Sequence, residues 1–325
     1  MGELPPLACP ACRGPLEDRT STLGCAACAA SYPVVAGIPD LRLRPDRYLD
    51  LEGDRAKARE LAGLGNRGFA DLVAEYWRRT PEVPADLAAT YGARATDGER
   101  RGAGVLDEAG LVVGGATVLD VGCGTGGLVA AAARRGARAV GVDVALRWLV
   151  VARRQLEELG LDARLVAADG AALPFRSGTF DVVTAIETVE HAADQRGLVQ
   201  GCLRAARPGG RALLVVANRY SLATEPTIGL WGVGYLPRAW APAYVRRRRQ
   251  TRYGYFRALS AGELRALTAH GPPARLGPGP LPAAPAGEPR HRRQARRLYD
   301  RLRTGPAGAL LTPVAPYLAV DARPR

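Results

Sequence analysis

Four of the six cysteines stand in the first 28 residues, as Cys9-Pro-Ala-Cys12 and Cys25-Ala-Ala-Cys28. Each pair suits a tight turn whose two thiolates grip one ion. Two such turns supply the four tetrahedral sulfurs that Zn²⁺ prefers, and a closed four-sulfur site is structural rather than catalytic. Gly14 and Gly24 sit where such turns need positive φ or close backbone approach. Disulfides in a small secreted module are the rival. They fit poorly with an N-terminus that has no basic region and no long apolar stretch. A redox pair is also disfavoured, because the motif occurs twice and outside any strand–helix–strand pattern.

A second group surrounds the turn Asp120-Val121-Gly122-Cys123-Gly124-Thr125-Gly126-Gly127. Three of its glycines formally satisfy the dinucleotide spacing, which by itself is a weak signal. Asp120 argues against a pyrophosphate, since a carboxylate there repels it. It favours a ligand carrying an ammonium, and S-adenosylmethionine is one: an adenosine joined to a sulfonium and an amino-acid tail. Glycines at 122, 124 and 126 let the backbone approach such a ligand. Asp143, followed by Val144, ends the next strand, where an acid grips ribose hydroxyls. Asp169, followed by Gly170, is placed to accept from the adenine amino group. Cys123 belongs to the turn, and it and Cys202 read as small buried residues.

The third group is Glu187-Thr-Val-Glu190-His191, after the fourth strand. Two carboxylates and an imidazole within one helical turn could form a half-site for Mg²⁺ or Zn²⁺. Alternatively His191 is a general base that removes a hydroxyl proton, with Glu187 in support. A loop that merely closes over the cofactor is the third reading.

These groups need a scaffold, and residues 117–218 supply an alternation of apolar strands and helices. The expected strands are Thr117–Val121, Ala139–Val144, Arg164–Ala168, Phe180–Glu187 and Arg211–Ala217, with helices at Gly127–Arg135, Arg147–Leu159 and Leu198–Ala206. This is an α/β, doubly wound sheet, and its ligand belongs at the carboxyl ends of the first strands. Ala274–Leu281 and Tyr317–Ala322 read as the last, antiparallel strands. Residues 45–104, with helices at Ala56–Leu64 and Phe69–Arg79, read as a helical linker or outer helices. Residues 1–44 then form a small N-terminal unit and residues 105–325 the main domain.

The chain of 325 residues is 47% hydrophobic, enough to build a core and to exclude wholesale disorder. No apolar run reaches the roughly 18–20 residues that span a bilayer, so a soluble, cytoplasmic protein is expected. The net charge is +13, and Lys57 is the only lysine. Between Ala243 and Arg303, fifteen arginines face three acids, so the excess lies in the last third of the chain. Residues 218–259 hold eight of the 19 aromatics together with Arg246–Arg249. This stretch reads as a substrate lid inserted after the fifth strand, or as helices packed on the core. Arg290–Arg303 reads as a basic amphipathic helix, suited to an anionic membrane surface, to RNA phosphates or to solvent.

Two resemblances rest on these motifs. "CPACRGPL…LGCAACAASYPVVAGIPDL" resembles the zinc-ribbon family whose stand-alone members activate methyltransferases. "VLDVGCGTG", "GVDV", "AADGAALPFRSGTFDVV" and "RPGGRALLVV" resemble, in order and spacing, the class I S-adenosylmethionine-dependent methyltransferases. The second resemblance implies a mostly parallel sheet with an antiparallel last strand, and methyl transfer by in-line displacement. The Glu-x-x-Glu-His pattern is similar to ubiquinone-pathway O-methyltransferases and to a plant small-RNA 2′-O-methyltransferase, where such residues bind a divalent cation. The expected acceptor is a small or lipid-linked anionic metabolite, methylated on oxygen. Structured RNA is the rival acceptor, and a non-catalytic scaffold the third reading, disfavoured by an intact glycine turn.

Overall fold

Thr117–Val121 (β5) is buried along its whole length. A strand with no exposed face belongs in the middle of a sheet covered on both sides. The computed structural model, which describes residues 5–65, 67–251, 253–281 and 289–324, places it there. The other strands are Arg138–Asp143 (β6), Arg164–Ala167 (β7), Phe180–Ile186 (β8), Ala206–Ala217 (β9), Ala274–Pro278 (β10) and Tyr317–Ala322 (β11). Their spatial order is β10-β11-β9-β8-β5-β6-β7. Strands β5 to β9 pair in parallel, and β11 runs antiparallel to both β9 and β10. This is the class I methyltransferase fold. The order reverses at β5, so the loops after β5 and β8 open a crevice at their carboxyl ends.

The helical stretch before β5 forms Leu51–Ala62 (α1), Phe69–Arg78 (α2), Ala85–Thr96 (α3) and Gly98–Glu108 (α4). Helix α4 crosses Gly127–Arg134 (α5) at unusually close range. A Cβ on Gly102 would lie 2.6 Å from the Leu128 Cα, and one on Gly127 would lie 2.3 Å from the Gly98 carbonyl carbon. Glycine is therefore required on both sides of this contact. The close approach brings Arg101 of α4 over the glycine turn. Leu146–Glu158 (α6) and Gln195–Ala205 (α7) complete the helical layers.

Residues 5–41 carry four short antiparallel strands: Leu16–Arg19, Thr22–Cys25, Ser31–Val35 and Ile38–Pro39 (β1–β4). This ribbon docks on the free edge of β7. The Leu41 amide donates to the Ala167 carbonyl at 2.8 Å, and the Ala8 amide to Pro174 at 2.9 Å. Cys9, Leu23, Tyr32 and Leu41 share one apolar cluster with Val166 of β7 and Phe175 of the connection that follows it. An open sheet edge invites pairing, and here the ribbon covers it.

The insertion at 218–259 carries its own small core of Ile228, Val233, Ala241 and Val245. Its helix Ala241–Arg249 (α8) exposes Arg246, Arg247 and Arg248. The insertion leans on α3, where Tyr91 and Arg94 donate to the carbonyls of Thr227 and Pro226 at 2.6 and 2.9 Å. Further on lie Ala261–Thr268 (α9), with a capping box of Ser260 and Glu263, Arg290–Thr304 (α10) and Gly308–Leu311 (α11). Helix α10 buries none of its side chains. Residues 282–288, within the proline- and glycine-rich loop, lie outside the described residues. Among the described residues no helix is long and apolar enough to cross a membrane.

Candidate active site and metal centre

The glycine turn after β5 uses left-handed backbone at Gly122, Gly124 and Gly126, with φ of 77°, 52° and 82°. A side chain at 122 would collide with Thr188, and one at 126 would press on Ala152. At Gly124 a Cβ would meet nothing within 4 Å. That glycine faces open space, as a backbone surface for a ligand must. The space is a cavity of about 290 Å³, lined by Asp120, Gly122, Cys123, Gly124, Arg94, Arg101, Glu187 and Tyr317, among others.

Asp120 is buried and accepts one hydrogen bond, 2.7 Å from the Thr184 hydroxyl. Among the described residues no basic group pairs with it. Burial, resisted by the Thr184 bond and helped by the nearby Asp143 charge, pushes its pKa up to about 7. A cation in the cavity would restore the charged form. This buried acceptor suits the ammonium of S-adenosylmethionine, which would donate to it. Asp143 accepts from the amides of Gly124 and Ala145, both at 2.8 Å, which fixes its carboxylate at the end of β6. Val144 offers its carbonyl to Arg42 at 2.9 Å, so it is held from outside. Asp169 accepts from the Ala171 amide at 2.9 Å and pairs with Arg44 at 2.8 Å. Gly170 is a packing glycine: a Cβ there would strike Leu198 at 2.7 Å. Cys123 and Cys202 are buried, and burial raises both thiols.

The three residues after β8 do not act together. Glu187 has a left-handed backbone, φ 53°, rare for a residue with a side chain. Its carboxylate reaches the cavity, taking 3.1 and 3.3 Å contacts from the Arg101 guanidinium and the Tyr317 hydroxyl. Such strain persists where surrounding structure imposes it, and it clusters at functional sites. Glu190 turns inward. One oxygen accepts from the Ala217 amide at 3.0 Å, and the other is buried with no partner. Burial pushes its pKa up to about 8, against the pull of the backbone amides. His191 packs its ring edge-on against Phe256, 5.3 Å between centroids. Burial, aided by the nearby Arg47 charge, takes its pKa down to about 4. Among the described residues the one cluster of three or more possible metal ligands is the cysteine group. A divalent-cation half-site of Glu187, Glu190 and His191 is therefore not assembled, because Glu190 is committed to a backbone amide and His191 to an aromatic face.

The buried Glu190 sets a pH expectation. Its folded pKa lies above the ordinary carboxylate value, so its contribution is full below that value and is lost as pH rises towards about 8. The melting temperature of Glu190→Gln should match the wild type near pH ~4 and exceed it near pH ~8. Parallel melting profiles across that window would show that Glu190 is charged and compensated.

The four N-terminal sulfurs lie within 4.8 Å of one another. Cys9 approaches Cys28 at 3.7 Å, and Cys12 approaches Cys25 at 3.5 Å. Burial works against the Cys9 thiolate, but the Tyr32 hydroxyl at 3.2 Å and two backbone amides outweigh it and hold the pKa at about 6. Tyr32 keeps its proton, since burial and the neighbouring sulfurs raise its pKa. Cys9 is thus held as a thiolate, the form that binds Zn²⁺, whereas against the Gly14 and Ala30 amides the neighbouring sulfurs push the Cys12 and Cys28 thiols up, a shift that a bound cation would reverse. Gly14 is needed for space, because a Cβ there would sit 3.3 Å from the sulfurs of both Cys12 and Cys25. The left-handed turn positions are Arg13 and Ala29, with φ of 64° and 58°, rather than Gly14 or Gly24.

Arg94, Arg101 and Tyr317, all lining the cavity, carry no local sequence signal. They arrive from helices upstream of the motif and from the last strand.

Residues 119–214 match the family model described as a methyltransferase domain. A ubiquinone biosynthesis O-methyltransferase of Pseudomonas paraeruginosa is 44% identical over 117 residues, 35% of this chain and 49% of that protein. Its counterpart in Idiomarina loihiensis is 42% identical over 107 residues, 32% of this chain and 44% of that protein. The chain thus spans about half the length of the curated relatives it matches. Among solved structures, a Haemonchus contortus phosphoethanolamine N-methyltransferase in complex with S-adenosyl-L-methionine aligns with a TM-score of 0.48 and 16% identity, over 80% of this chain and 61% of that one.

Proposed function

We propose that this chain transfers a methyl group from S-adenosylmethionine to an oxygen of a small, lipid-linked acceptor. The observation that carries the proposal is one cavity with Asp120, an unpaired buried carboxylate, on the glycine turn and Glu187, a strained carboxylate, at the end of β8. The match of this core to O-methyltransferases named for ubiquinone biosynthesis supports the acceptor class.

Asp120 accepts from the cofactor's ammonium, Asp143 from its ribose hydroxyls and Asp169 from its adenine. When bound, the cofactor supplies an activated methyl on sulfur, so the chain has mainly to align an oxygen and exclude water. An acceptor hydroxyl must lose its proton, and Glu187 is the group placed to take it. Arg101 and Tyr317 fix that carboxylate by their contacts. Burial and nearby carboxylates raise the Tyr317 pKa, so its hydroxyl stays a donor. Arg101 is paired with Glu187, so Arg94 is the cavity-lining cation that would meet an anionic part of the acceptor. The zinc ribbon holds the sheet edge and takes no part in the chemistry.

Phenols and alcohols bearing a prenyl or acyl chain, incubated with the purified chain and S-adenosylmethionine, should yield S-adenosylhomocysteine and an O-methylated product by mass. Glu187→Gln should lower kcat about a hundredfold or more while leaving S-adenosylhomocysteine affinity within about twofold, because it touches the acceptor side only. An unchanged kcat in that variant would remove Glu187 from the proton step. Methyl transfer confined to nitrogen acceptors would overturn the oxygen assignment.

A further inference from the structure

Between the ribbon and α1 the chain does not take a short path over solvent. Residues 42–49 run as a strap across the loops that follow β6, β7 and β8. Arg42 donates to the Val144 carbonyl after β6. Arg44 pairs with Asp169 after β7. Arg47 donates to the Ala192 carbonyl after β8 at 3.1 Å. Tyr48 lays its ring 4.9 Å from that of Tyr255 in the insertion. The strap therefore touches the loops after β6, β7 and β8 in turn and ends on the insertion.

Its root is fixed. The side chains of Asp40, Arg42 and Asp54 are fully buried, and Arg42 bonds to both acids. Arg147 of α6, also buried, joins Asp54 at 2.6 Å and Asp46 at 2.7 Å. Asp54 further accepts from the Leu146 amide at 2.8 Å. Arg42 and Arg147 with three carboxylates, joined by Arg55 on Asp40 at 2.8 Å, thus lock the strap's two ends to the start of α6, three residues beyond Asp143. A network of buried charges is costly to break at any one member, so this part of the strap stays in place.

Arg44 is different. Its side chain is 52% exposed, and its contact is to one oxygen of a 21% exposed carboxylate. An exposed pair of this kind is cheap to exchange. The other Asp169 oxygen is taken by the Ala171 amide. The oxygen that Arg44 occupies is thus the one left for an outside donor.

We infer that the strap is the adenosine-side wall of the cofactor site, and that Arg44 is an exchangeable occupant of Asp169 which the adenine amino group displaces. This rests on the proposed cofactor reading and adds to it a residue from outside the methyltransferase core. Arg44 is a positioning residue: with the site empty it holds the strap on Asp169, and on cofactor binding it yields that oxygen. Its cost falls on cofactor affinity.

The test is a double-mutant cycle read by calorimetry on the full, zinc-loaded chain, with S-adenosylhomocysteine as the probe. Arg44→Ala should tighten binding about two- to fivefold, the range expected for releasing an exposed pair. Asp169→Ala should weaken it, and Arg44→Ala in that background should then have no effect. A purely structural arginine gives the opposite sign, since its loss can only weaken binding. Arg44→Ala leaving affinity unchanged or lowered, or acting equally with and without Asp169, would overturn the inference while leaving the cofactor reading intact. No binding of the probe by the wild type would overturn both.

Discussion

Replacing Asp143 by alanine is expected to weaken S-adenosylhomocysteine and S-adenosylmethionine together by at least about a hundredfold. The carboxylate is fixed by two backbone amides at 2.8 Å, so it reaches the ribose without paying to become ordered. Hydrogen bonds to a charged group are each worth about 1.5–3 kcal/mol, and two ribose hydroxyls would lose such an acceptor. The Gly124 and Ala145 amides would also lose their partner in a buried setting, which adds to the cost. Asp143→Asn keeps one carbonyl oxygen and should fall between the two. Because cofactor and product share the ribose, calorimetry must show equal losses for both. A loss confined to one ligand, or an undiminished affinity, would place the ribose elsewhere.

Stripping the metal from the ribbon is the second large effect. The freshly purified, reduced chain should hold one Zn²⁺ per molecule, measured by elemental analysis. A chelator, or Cys25→Ala, should remove it and unfold β1–β4. Zinc binding supplies most of the folding free energy of such small modules, about 10–16 kcal/mol in isolated fingers at neutral pH. The damage should not stop there. Cys9, Leu23 and Leu41 share an apolar cluster with Val166 and Phe175, and Leu41 bonds to the end of β7. Losing the ribbon uncovers that edge, so the melting temperature of the main transition should fall by roughly 10 °C, a few degrees for each kcal/mol in a domain this size. Cys202→Ala, which removes a thiol from the buried face of α7, serves as the control and should leave zinc content unchanged. Full zinc loss with an unaltered melting curve would mean that ribbon and sheet are energetically independent.

The sequence carried the parts whose physics is local. Two Cys-x-x-Cys turns at this spacing bring four sulfurs together, because each turn fixes its own pair and a short hairpin joins them. The run from Val118 to Gly127 spelled out a buried strand, a left-handed turn and a helix start. Those steps are decided by side-chain burial and by φ values that glycine adopts freely. The parallel, doubly wound sheet followed from the same alternation, since parallel strands need crossovers. Only the tertiary structure decided which members of Glu187, Glu190 and His191 face the cavity. They lie within five residues, and a left-handed Glu187 sends one side chain to the cavity while Glu190 is buried and His191 is half-buried against Phe256. Nor could local pattern show that Arg42 and Asp54 bear on the loop after β6 and Arg44 on the loop after β7, or that Tyr317 meets Glu187. Such pairs are set by how whole elements pack, through contacts between surfaces that no window of the chain contains.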